Sequence, residues 1–282
     1  MNPLEAMQYS AEMLGVLAAS LLLAPPPGVI VIDRLAVAIV QLGNWKQMDN
    51  MYSKTWPRTT IPAEVVKSAA SGHCFLLKDK TATEFKNPGL TFGGDDSAPG
   101  ERGWTLADEI DAEIPVVWFG AKPVSPKYSV ISNSSNIYSK VVLDYLKTKG
   151  LKKPSVKLHT VIQADLDGNG TQEVLIFAGS RKSDDMYTAF TGLQGGAKTE
   201  DFSLAMIRYV SGKTVKVAQI YYCDARKGGL DGHAVFAGLW DLDGKPGLEI
   251  LHRWSGYEAN SSTIAKFASG RYSKIAEAGD GV

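Results

Sequence analysis

The chain has 282 residues, 44% of them hydrophobic, and 30 basic residues balance 30 acidic ones for a formal net charge of zero. That is enough for one large domain or two small ones with a real core. It gives no support to nucleic-acid binding or to a strongly basic membrane contact, and without CxxC or HExxH patterns a zinc centre has no sequence support either.

Residues 1–28 form the first segment. "MLGVLAASLLLA" (13–24) has the length of a signal-peptide apolar core. Its flanks fit less well: Glu5 and Glu12 precede it without any Lys or Arg, and "PPPG" follows. Pro25, Pro26 and Pro27 interrupt the run, and Asp33 with Arg34 limits any extension, so no transmembrane span is expected. Two readings stand, a signal for export to an extracellular or periplasmic location and a helix packed on the domain; export is preferred.

Residues 29–150 read as an α/β region ending in a helix. "VIVIDRLAVAIVQLGNW" suits a buried helix or a strand, and its periodicity does not decide. Residues 50–130 are loop-rich. Within them "GHCFLLKD" (72–79) and "IPVVWFGAK" (114–122) read as buried strands, and "FGGDDSAPGERG" (92–103) as a turn-rich loop in which Asp95 and Asp96 face water. A helix is predicted over 135–149. Ile137, Val141, Val142, Tyr145 and Leu146 make its apolar stripe, Ser134 or Ser135 caps its start, and Gly150 closes its end ahead of Pro154.

From residue 155 to 282 the pattern is strands, and it occurs twice. "VKLHTVIQADLDG", "QEVLIFAGSRK", "FSLAMIRYVSG" and "TVKVAQIYYCDA" form one set of four. "HAVFAGLWDLDGKPG", "LEILHRWSGYE", "STIAKFASG" and "YSKIAEAG" form the next. Asp165, Asp167, Gly168 and Glu173 align with Asp241, Asp243, Gly244 and Glu249 at an offset of 241 − 165 = 76 residues. The expected fold is therefore mainly β with an N-terminal α/β portion. It contains two antiparallel four-stranded blade-like meanders, each with an acidic loop between its first two strands, in a partial, propeller-like assembly.

The first acidic loop, "DLDGNGTQE", concentrates oxygen ligands. Asp165, Asp167 and Asn169 alternate, the carbonyl of Thr171 is next in line, and Glu173 returns a carboxylate as the following strand begins. Hard oxygen ligands in a flexible loop favour calcium. It is not an EF-hand, because the twelfth position is Ile176 and the flanks are strand-like. The competing reading is a plain hairpin in which Asn169-Gly170 turns the chain and the carboxylates face water. The second loop has Lys245 and Pro246 in place of Asn169 and Gly170. It is expected to keep its shape and lose the ion, with the Lys245 ammonium pairing with Asp241, Asp243 or Glu249.

"ADLDGNGTQEVLIF" and "WDLDGKPGLEIL" resemble the FG-GAP or VCBS-type repeat, the blade unit of integrin-α-like β-propellers and of many bacterial secreted proteins. The resemblance covers residues from about 155 to 282. It implies calcium ligation by Asp165, Asp167, Asn169, the Thr171 carbonyl and Glu173. Two repeats do not close a propeller by themselves, since closed ones usually have at least four blades.

Catalytic signals are sparse. There is no GxSxG, SxxK, P-loop or GxGxxG pattern, and "GLQGGAK" (192–198) lacks the spacing of a phosphate loop. His73, His159, His233 and His252 read as structural or exposed, and Cys74 with Cys223 permits one disulfide that spacing alone does not assign. Trp240 is expected in the core, and Trp254 and Tyr257 are open between core and contact surface. The functional expectation is an exported, calcium-stabilised, non-enzymatic repeat protein binding a protein or polysaccharide partner. The alternative is an extracytoplasmic hydrolase carrying the repeats as an accessory module.

Overall fold

The computed structural model describes residues 28–32, 35–41, 44–47, 72–87, 89–93, 103–106, 116–181, 198–227, 232–256 and 259–281. The expected signal segment, Asp95, Asp96, Tyr257 and nearly all of "GLQGGAK" lie outside these residues.

Among the described residues there are one α-helix and seventeen strands, and the strands form three antiparallel sheets. The N-terminal sheet has eight strands: β1 (Gly28–Ile32), β2 (Leu35–Gln41), β3 (Asn44–Gln47), β4 (Cys74–Lys78), β5 (Thr81–Glu84), β6 (Leu90–Gly93), β7 (Gly103–Leu106) and β8 (Val116–Phe119). The undecided apolar run after "PPPG" is therefore two strands, not a helix. Its first strand, "GVIVI", is buried at all five positions, and a strand covered on both faces loses the alternation that would have identified it.

The second sheet has five strands in the order β13-β12-β11-β10-β9. β10 (Lys157–Ala164), β11 (Glu173–Gly179), β12 (Phe202–Ser211) and β13 (Thr214–Asp224) are the first predicted meander, and the short β9 (Tyr128–Val130) joins its edge. The third sheet is the second predicted meander: β14 (His233–Trp240), β15 (Glu249–Ser255), β16 (Ala259–Ala268) and β17 (Arg271–Gly281), paired in chain order. All eight expected strands are present, and none of the three sheets closes into a barrel.

Helix α1 (Asn136–Thr148) lies within one residue of its expected bounds at each end. Its C-terminus is a Schellman motif. Gly150, at φ +88°, donates to the Lys147 carbonyl and Leu151 donates to that of Leu146, with both leucines buried beneath the turn. At the other end Ser135 occupies the cap position but makes no side-chain cap bond. The apolar stripe is shorter than its sequence suggests: Val142 and Leu146 are buried, whereas Ile137 is 72% exposed.

The sheets stack, and period-two alternation decides which layer each residue meets. From the five-stranded sheet, Val161, Val174, Ile176, Leu204 and Met206 face α1. Their neighbours Ile162, Leu175, Phe177, Ala205 and Ile207 face Leu239, Ile250 and Phe267 of the last meander. The opposite face of that meander presents Trp240, Leu251, Ile264 and Ala276 to Ile30, Ile32, Phe75 and Trp118 of the N-terminal sheet. Both faces of β11 are thus covered, which is why "EVLIFAG" is buried throughout. Trp240, 1% exposed, belongs to this core as expected.

Candidate functional site

The two acidic loops lie at the β10–β11 and β14–β15 turns, and they repeat in atomic detail. Glu173 Oε2 accepts the Leu166 amide at 2.9 Å, and Glu249 Oε2 accepts the Leu242 amide at 2.7 Å. Gly168 and Gly244 both take the left-handed conformation, at φ +72° and +68°. The amide of Asn169 donates to Asp167 Oδ1 at 3.3 Å, and that of Lys245 donates to Asp243 Oδ1 at 2.9 Å. In each loop the glutamate that opens the second strand folds its carboxylate back under the turn and fixes the amide between the two aspartates.

This geometry brings three carboxylates together in each loop. One oxygen from each of Asp165, Asp167 and Glu173 lies within 4.8 Å of the other two, and the same holds for Asp241, Asp243 and Glu249. Asp165 also accepts the amides of Asn169 and Gly170 at 3.0 and 2.9 Å. Of the five ligands expected from sequence, the structure converges the three carboxylates. Asn169 is exposed and its Oδ1 accepts the Thr171 amide at 2.7 Å, a local turn that holds both residues at the loop's outer side. An oxygen-only cluster with a buried glutamate suits a hard cation such as calcium better than a thiophilic metal.

The electrostatics of the first loop are those of a site short of positive charge. Glu173 is 2% exposed. Burial raises its pKa, and the neighbouring charges of Asp167 and Asp165 raise it further against the pull of the Leu166 amide. No cationic side chain among the described residues pairs with any of the three.

The second loop has its own cation. Lys266 Nζ, from β16, lies 2.9 Å from Asp243 Oδ1 and 2.9 Å from Glu249 Oε1. Asp243 and Glu249 are 4% and 0% exposed, and an ionised buried carboxylate left without a partner costs about 3–5 kcal/mol. Burial pushes Glu249 up to about 7 while Lys266 pulls it down. For Lys266 burial acts to lower the pKa, and Glu249 and Asp243 outweigh it, so the ammonium is held charged. Lys245, expected from the sequence to pair with this triad, is exposed; Lys266 reaches the triad from another strand. Only the strand register identifies it. β15–β16 pairing sets Ile250 opposite Ala265, so Glu249 faces Lys266 one step further along.

The two loops also touch. The Leu248 amide donates to the Leu166 carbonyl at 3.0 Å, and a Cβ on Gly168 would sit 2.7 Å from the Gly247 nitrogen. The other singled-out residues are dispersed. Cys74 and Cys223 are not bridged to each other and lie on β4 and β13 of different sheets. His73 is exposed and contacts Glu84. His159 bonds the Arg181 carbonyl through Nε2, and His233 and His252 are buried. Trp254 is half-buried and donates to the Tyr221 hydroxyl at 3.1 Å.

A separate cleft of about 560 Å³ opens between the start of α1, β10 and β14. Asn136, Ser139, Lys157 and His159 give it polar walls and Phe177 and Phe236 an aromatic side, with no carboxylate among the described lining residues. Its volume is in the range of small-molecule sites.

No family model, curated protein or solved structure matches this chain.

Proposed function

We propose that this is a non-enzymatic β-repeat protein, stabilised by one calcium ion in the Asp165–Glu173 loop, that binds a protein or polysaccharide partner outside the cytoplasm. The observation that carries this reading is the first triad. Its three carboxylates converge within 4.8 Å around a buried glutamate, and no described side-chain cation pairs with them, whereas a lysine reaches the twin triad. The ion's role is structural. It relieves carboxylate repulsion at a turn packed against the neighbouring repeat, and extracellular modules of this kind work with dissociation constants of roughly 10⁻⁴–10⁻³ M. The cleft beside α1 supports a polar partner: hydroxyl and amide groups next to the Phe236 ring suit a sugar segment.

The test is thermal unfolding in EDTA and in millimolar calcium, for wild type and Asp167→Ala. Millimolar calcium, about one to ten times that dissociation constant, should stabilise wild type by about 0.4–1.4 kcal/mol and leave Asp167→Ala unmoved. Identical unfolding of wild type with and without calcium would reject the proposal.

A further inference from the structure

We infer that Lys266 is a resident cation that closes a second, latent divalent-cation site, so that this residue sets how many calcium ions the chain takes. The inference deepens the calcium reading of the first loop and rests on it for the ion's identity. Three observations converge. The backbone scaffold of the second loop reproduces the first, down to the glutamate carboxylate under the Leu242 amide. Asp241, Asp243 and Glu249 present oxygens within 4.8 Å of one another, the same constellation as the first triad. A positive charge from a different strand occupies it, with one ammonium shared at 2.9 Å between two buried carboxylates.

The register explains why only one loop is filled this way. In the first repeat Val174 pairs with Arg208, so the residue opposite Glu173 is Tyr209. In the second repeat the matching position, opposite Glu249, is Lys266. Tyr209 brings no charge, and its ring packs edge-on against Phe267 at 5.2 Å. One residue at one register position therefore separates a loop that needs an external cation from a loop that carries its own. An ammonium is monovalent and directs three N–H donors, while the triad offers three carboxylates. Removing it leaves the charge and oxygen arrangement that a hard divalent cation takes. Lys245 and Pro246 stand where the first loop has Asn169 and Gly170, so the opened site should bind more weakly than the first.

The experiment is calorimetric titration of the full chain with calcium chloride. The variants are Lys266→Met, Lys266→Met with Asp243→Asn, and Lys266→Met with Asp167→Ala. Wild type should bind one calcium, Lys266→Met two, and each double variant one. A Lys266→Met protein that still binds one ion, through Asp167, overturns the inference and leaves the first-loop reading intact. A wild type that binds two ions also overturns it. A wild type that binds none, with Lys266→Met binding one ion lost on Asp243→Asn, removes the first-loop reading and sustains the role of Lys266. If Lys266→Met does not fold in EDTA, near-ultraviolet circular dichroism during calcium addition decides. Recovery of the native signal supports the inference, and a chain that stays unfolded in calcium overturns it.

Discussion

Leu248 donates its backbone N–H to the carbonyl of Leu166 at 3.0 Å, joining the two acidic turns directly. The approach is close because the residues beside it have no side chains. Gly168, at φ +72°, and Gly247, at φ +93°, face each other, and a Cβ on Gly247 would sit 2.7 Å from the Leu166 carbonyl oxygen. Gly170 provides an internal control: it shares the left-handed conformation, at φ +85°, but a Cβ there meets nothing within 4 Å. Gly170→Ala should cost only the conformational term, about 1–2 kcal/mol. Gly168→Ala and Gly247→Ala should each cost a further 1–3 kcal/mol or so, because backbone atoms must also move. Urea denaturation of the three variants checks this, and equal losses at all three positions would mean that the loops do not bear on one another.

Glu173→Gln should change sign with calcium. The amide oxygen of Gln still accepts the Leu166 N–H that Oε2 accepts at 2.9 Å. It carries no charge to be desolvated or repelled by Asp165 and Asp167, the two effects of burial and neighbouring charge that raise Glu173. In EDTA the variant should melt at or above the wild-type temperature. In millimolar calcium it should melt below it, since a tenfold weaker ion at the same concentration, about one to ten times the wild-type dissociation constant, forfeits about 0.4–1 kcal/mol. Melting curves in both conditions check the crossing. A variant less stable than wild type in both would assign Glu173 a packing role only.

Much of this architecture could be read along the chain because the repeat announces itself twice. Eight strands, the loop positions and the helix followed from alternation, turn residues and the Gly150 stop. What escaped depends on pairing across strands, which linear order does not contain. Lys266 is one lysine in a strand of ten residues, and nothing near it in sequence says that it faces Glu249. Lys245 is the nearer candidate in sequence and sits on an exposed turn. The run after "PPPG" stayed ambiguous for a different reason: both faces of β1 are covered, so helix and strand readings score alike.

Acid should destabilise the fold in a window set by two buried histidines. His252, 5% exposed and bonded to the Tyr272 hydroxyl at 2.6 Å, is pushed down to about 3 by burial, with Lys274 adding to the shift. His233 is pushed down to about 4 by burial, with His159 and Arg253 adding to it and a backbone bond at Ser255 opposing. Their ordinary value is 6.5, so below that pH the unfolded chain takes up protons that the folded chain refuses. Each histidine then removes stability at about 1.4 kcal/mol per pH unit until its folded pKa is reached. Glu249 acts in the opposite sense. Its pKa is raised from 4.5 to about 7, so between those values the folded state is the one that gains the proton and stability rises as pH falls. Glu173 and Asp241, which burial also raises, act in the same sense as Glu249. Asp224, held low by Arg226, and Asp201, held low against its burial by the Lys198 amide with Arg181, lose stability with the imidazoles as pH falls. His252→Gln removes one imidazole while leaving a polar side chain facing Tyr272. Its stability at neutral pH should be lower, and its decline on acidification should be shallower by about 1.4 kcal/mol per pH unit. Urea midpoints from about pH 7 to about pH 4 measure this. Parallel curves for wild type and His252→Gln would show that His252 protonates as readily in the folded chain as in the unfolded one, against its enclosure between β15 and Tyr272 of β17.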